Sequence, residues 1–148
     1  MIKTETSTPG SAVNQQQDWQ LLFNMLPDIR QTRRFGRLVG SKKLPDGNMS
    51  LPFWLEDEIV SKFFNTAYLL GIVSVFDWAS WKEGIDILNN PDADFNDYDL
   101  ETLCKLLTFV VRCDKFCEGY LINCFETGKM TLVIEAMQSK VYAYQLIG

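Results

Sequence analysis

The stretch RCDKFCEGYL puts Arg112, Asp114, Lys115, Glu118 and Tyr120 within nine positions. Two carboxylates can give and take a proton, a guanidinium and an ammonium can hold an anion, and a phenol can relay a proton. The chain contains no histidine. Ser-His and Cys-His dyads are therefore excluded, and the commonest ligand for zinc, copper and non-haem iron is missing. If the protein is a carboxylate-based or nucleic-acid-processing enzyme, these five residues are its catalytic set. The competing reading takes them as a polar corner between two helices. Glu101, Lys105, Thr108 and Arg112 recur at spacings of four, three and four, as one solvent-facing stripe would. Within it Glu101 and Lys105 form a favourable i,i+4 pair. Asp114 instead falls in register with Leu103, Leu107 and Val110, where a carboxylate carried straight into the core would be costly. The helix is expected to end near Arg112, with Asp114 capping a new helix over 115–127. Phe116, Cys117, Tyr120, Leu121, Cys124 and Phe125 then form that helix's apolar stripe. The corner is the more economical reading.

A second group is basic. Residues 1–50 hold seven Lys/Arg against four Asp/Glu, and residues 51–148 hold seven against fifteen. A chain of net charge −5 thus splits into a basic first third and an acidic body. The excess sits in Arg30, Arg33, Arg34, Arg37, Lys42 and Lys43, with Phe35 among them. These six are the candidate binding residues. They suit an acidic protein partner or a second copy of the chain, with nucleic-acid binding at most weak and nonspecific because the body repels a polyanion.

Other groupings read as structural. Cys113, Cys117 and Cys124 lie on one helical face, a pattern of small core residues more than of a zinc site. Asp92, Asp94, Asn96 and Asp99 resemble a calcium loop, but the positions that need Gly and Glu hold Asp97 and Leu103. No cofactor or metal is called for. Trp54, Trp78 and Trp81 are expected in the core.

The elements that must position these groups can be read along the chain. At 148 residues and 47% hydrophobic, it is one globular domain's worth of sequence. Residues 1–16, rich in Ser, Thr and Gln, are expected to be a mobile tail. The domain is expected over 17–148. Asp18 caps a first helix carrying Trp19, Leu22, Phe23 and Leu26, which Pro27 interrupts. Pro45-Asp46-Gly47-Asn48 is a turn signal between two short alternating runs, Arg34 to Val39 and Met49 to Trp54, giving a small hairpin at about 34–54. A helix follows over 56–71 with Ile59, Val60, Phe63, Phe64, Ala67 and Leu70 inward. Asp77 caps a helix bearing Trp78, Trp81, Ile85 and Leu88, and Asp99 caps a largely apolar central helix from Leu100. The last helix turns Leu132, Val133, Ala136, Met137, Val141 and Tyr144 inward. The fold class is mainly α, a single-domain bundle of five or six helices with one small β-hairpin. No apolar run approaches the ~20 residues of a membrane span, and the N-terminus lacks a signal-type apolar segment. The expected location is the cytoplasm, where four cysteines stay free.

LGIVSVFDWASW, KLLTFVVRCDKFCEGYL and FETGKM, in that order over roughly residues 55–138, resemble an uncharacterised family of small bacterial proteins. Its marks are FDW-x-x-W and R-x-D-K/R-F-C-E-G. The resemblance implies an intracellular microbial protein and brings no activity. In the family pattern Arg is common where this chain has Lys115, and His where it has Tyr120. Arg-x4-His is similar to the motif of the helical HEPN ribonucleases, in which Arg holds phosphate and His assists proton transfer. With Lys115 and Tyr120 in place, this chain would be an inactive or altered member of such a group. The leading expectation is a non-enzymatic binding or regulatory module. The alternative is the enzyme centred on 112–120, a degenerate HEPN-like ribonuclease among the options.

Overall fold

A computed structural model describes residues 16–147, and side chains from Trp19 to Gln145. The tail expected over 1–16 lies, but for its last residue, outside the described residues. Helix α1 (Gln16–Phe23) starts two residues ahead of Asp18, so Asp18 is inside the helix and not at its cap. Pro27 falls in the first turn of α2 (Leu26–Gln31). A missing N–H costs nothing there, so Pro27 opens a second helix instead of only ending the first.

Strands β1 (Gly36–Val39) and β2 (Phe53–Glu56) pair antiparallel, Gly36 opposite Glu56 and Val39 opposite Phe53. β2 lies later than the expected Met49–Trp54. Pro52 has no N–H to give a ladder, so pairing resumes only beyond it. The tip is built as expected: the Gly47 N–H donates to the Leu44 carbonyl at 2.9 Å, with Pro45 and Asp46 between them. Gly47 takes φ +91°, and Lys43 bridges to Met49 below the turn.

Helix α3 (Glu58–Leu69) begins at Asp57, whose carboxylate accepts from the Ile59 N–H. Gly71, at φ +73°, ends it as the Ile72 N–H returns to the Ala67 carbonyl. Asp77 makes no capping bond. A 3-10 turn at Trp78–Ser80 comes first, and α4 (Lys82–Asn89) starts after Trp81. Asp99 does cap α5 (Leu100–Asp114), accepting from the Thr102 N–H at 2.8 Å. α5 is central: Leu103, Cys104, Leu106, Leu107, Val110 and Val111 are fully enclosed.

The polar stripe expected on α5 is broken. Glu101 is exposed, Lys105 and Arg112 are half-buried, and Thr108 is completely buried. The segment after α3 covers Thr108. Its hydroxyl lies 3.0 Å from the carbonyls of Ile72 and Cys104 and accepts from the Ser74 N–H. α6 (Tyr120–Glu126) and α7 (Lys129–Ile147) complete the fold. α7 packs on α1, α2, α5 and α6. Its inward residues are Met130, Val133, Ile134, Ala136, Met137 and Val141, while Leu132 and Tyr144 face out. The result is the expected mainly α domain with one two-stranded hairpin. Among the described residues, no helix is long and apolar enough to cross a membrane.

Candidate functional site

The 112–120 corner differs from its expected form. α5 runs on through Asp114, residues 115–119 make a turn, and the next helix starts only at Tyr120. Gly119 at φ +91° sets that start, a backbone state that disfavours any residue with a Cβ. Asp114 still serves the second helix from outside it: its Oδ1 accepts from the Leu121 N–H at 2.9 Å. The turn carries Phe116 and Cys117 into solvent, not into the apolar stripe. Trp78 leans on Phe116 with ring centroids 5.9 Å apart.

The five corner residues separate. Lys115 and Glu118 are exposed. Tyr120 turns its ring to Phe109, and burial, with Cys124 beside it, pushes its phenol above the ordinary value. Among the described residues, the Arg112 Nε is buried without a hydrogen-bond partner. Asp114 and Glu118 share one groove; Arg112, Lys115 and Tyr120 do not line it. Of the cysteines expected in the core, Cys124 is buried, Cys113 half-buried and Cys117 exposed. Burial pushes the Cys113 thiol up to about 11, helped by the adjacent Cys117, and the Cys124 thiol to about 11. In the acidic loop, Asp94 and Asp99 accept from the backbone N–H groups of Asn96 and Thr102.

The hairpin is brought against this corner. Phe35 is buried, stacked on Phe125 at 5.1 Å, so it has no face to offer a base. Its N–H donates to the Glu126 Oε2 at 2.7 Å, and its carbonyl accepts from the Asp57 N–H at 2.8 Å. Gly36 lets Ile122 come close, since an added Cβ would meet Ile122 Cδ1 at 2.6 Å. Trp54 stands on Gly119, where an added Cβ would lie 2.5 Å from the indole Nε1 and nearly as close to Cε2 and Cδ1. The contact is thus made by the face of the pyrrole ring at Nε1. Trp54, expected in the core, is half-buried against it and also borders two grooves.

On one side is a groove of about 470 Å³ with Arg34, Arg37, Asn123 and Glu126 around it. On the other is one of about 350 Å³ with Glu56, Ser61, Asp114 and Glu118. Burial raises the Glu56 carboxyl above its ordinary 4.5; the Ser61 hydrogen bond opposes the shift and Asp114 adds to it. The six basic candidates also divide. Arg30, on α2, is bound to Glu135 of α7 at 2.7 Å, and among the described residues this is the one ion pair within 4 Å. Arg33, Arg34, Arg37, Lys42 and Lys43 are exposed. Sequence spacing did not single out Glu56, Asn123 or Glu126. Asn123 and Glu126 meet Trp54 only because the hairpin folds onto α6, and no local pattern encodes that.

No curated protein and no solved structure matches the chain. The family of unknown function DUF6508 matches residues 14–142, and the chain belongs to that family.

Proposed function

We propose that the protein is a non-enzymatic binding or regulatory module that docks an acidic, partly apolar segment of a partner protein on its hairpin arm. One observation carries the reading. The arm holds Arg33, Arg34, Arg37, Lys42 and Lys43 exposed beside exposed Leu38, Met49, Leu51, Phe53 and Leu55. An acidic body behind the arm keeps polyanions at a distance, while a short acidic segment reaches only the basic face. The arm is also held firmly at its root by Phe35, Asp57 and Glu126, so little ordering is needed on binding. The test is fluorescence polarisation with an acidic peptide bearing Leu and Phe, with duplex DNA and single-stranded RNA in parallel, at two salt concentrations. The peptide is expected to bind, and Arg33→Glu/Arg34→Glu/Arg37→Glu to abolish that binding. Sub-micromolar nucleic-acid binding with steep salt dependence, lost in the same variant, would replace the protein partner with a nucleic acid. A second reading, a carboxylate-based enzyme, has one observation in its favour: a raised Glu56 beside Asp114 and Glu118 in one groove. Hydrolytic activity that Glu118→Gln removes without unfolding the protein would establish it.

A further inference from the structure

The groove on the arginine side of Trp54 has a chemistry of its own. Arg34 and Arg37 both line it, three residues apart at the root of the anchored hairpin. Neither guanidinium has a hydrogen-bonding or ionic partner among the described residues. Two guanidiniums held on a rigid element present fork-like donors that match a phosphate group. Trp54 supplies the adjoining wall. The face of its pyrrole ring lies over Gly119, and the indole borders the arginine groove. The opposite wall is α6, which brings the Asn123 amide and the Glu126 carboxylate to the same space. Glu126 is held in place by the Phe35 N–H through one oxygen, and a carboxylate accepts more than one hydrogen bond. At about 470 Å³ the space falls within the size range of small-molecule sites.

We infer that this groove is a binding site for a nucleoside phosphate: phosphate on Arg34 and Arg37, the planar base on Trp54, and hydroxyl or amino groups on Asn123 and Glu126. A free inorganic anion uses only the arginines and leaves the indole and the Glu126 carboxylate unmatched. A purely aromatic ligand leaves two guanidiniums unanswered. The nucleoside phosphate satisfies all three walls. Since Arg34 and Arg37 also belong to the arm's outer basic face, an occupied groove neutralises part of the surface that docks a partner, which makes the ligand a regulator of docking.

The experiment is isothermal titration of the full chain with a purine nucleoside 5′-monophosphate, the parent nucleoside, and inorganic phosphate. Saturable one-to-one binding is expected for the monophosphate, with the nucleoside and inorganic phosphate each weaker by at least ~10-fold. Arg34→Ala and Arg37→Ala should each weaken the monophosphate ~10-fold or more, and Lys62→Ala on α3 should leave it unchanged. Trp54→Phe, which keeps a ring over Gly119, should weaken the monophosphate and the nucleoside alike and leave inorganic phosphate unaffected. The inference is overturned if the monophosphate shows no saturable binding, if inorganic phosphate binds as tightly, or if the arginine variants titrate like the parent protein. No partner protein is present in the titration. Its failure therefore leaves the docking reading standing, and failure of the acidic peptide to bind leaves the groove standing.

Discussion

Gly119→Ala tests the contact that joins the hairpin to the corner. Two costs follow from the structure. Gly119 sits at φ +91°, and an L-residue there loses about 1–2 kcal/mol. The new methyl would also lie 2.5 Å from Trp54 Nε1, so the indole must lift away, an overpacking cost of about 1–3 kcal/mol. The sum is about 2–5 kcal/mol. With a urea slope of about 1.5 kcal/mol per M, the unfolding midpoint should fall by about 1.3–3.3 M. A double-mutant cycle separates the two parts. Against Trp54→Ala the steric cost disappears, and Gly119→Ala should then cost only the backbone share of about 1–2 kcal/mol. Equal costs with and without the indole would refute the claim that Trp54 rests on Gly119. A total below about 0.5 kcal/mol, within the ordinary range of surface substitutions, would refute the left-handed geometry as well.

Asp114→Ala should lower stability by about 0.5–2 kcal/mol by leaving the Leu121 N–H without its acceptor, and Asp114→Asn should restore most of it because an amide oxygen accepts equally; urea unfolding of the two variants checks this, and an Asn variant as weak as Ala would show that the charge matters. Burial raises the folded-state value of Glu56, so the proton-bound form favours the fold; that stability is present below pH 4.5 and is lost as pH rises through the raised value. Glu56→Gln should therefore raise the melting temperature at neutral pH and leave it nearly unchanged in acid, and the reverse pattern in thermal melts would contradict the burial account. Brief alkylation of the native protein should modify Cys117 first and leave Cys104 and Cys124 unlabelled until denaturant is added, as peptide mapping would read; early labelling of Cys104, whose thiol burial pushes to about 12, would mean that α5 opens readily. Zinc should leave the melting temperature unchanged, because the three clustered cysteines sit at three different depths, and one tightly bound zinc per chain by elemental analysis would overturn that view.

Local rules decided what this sequence could decide alone. Asp99 caps its helix because it is an acid just ahead of an apolar 3.6-residue period, while Asp18 and Asp77, read by the same rule, do not. Gly71 and the Pro45–Gly47 turn follow from backbone conformations that few residues adopt. The absence of histidine removed whole classes of chemistry before any fold was known. The errors have two sources, local breaks in the backbone pattern and what distant segments bring. Thr108 reads as surface until the chain after α3 lays its carbonyl at Ile72 over it. Phe116 reads as core until Gly119 delays the next helix and leaves it outside. Phe35 stands among basic residues in the sequence, yet Phe125 stacks on it from 90 positions away and takes it into the core. Helical periodicity reports which side chains share a face; it carries no information about what that face meets. The candidate site is of the second kind. Arg34, Trp54, Gly119 and Glu126 meet only because the hairpin closes onto α6, and that closure is fixed by long-range packing and by one hydrogen bond between Phe35 and Glu126.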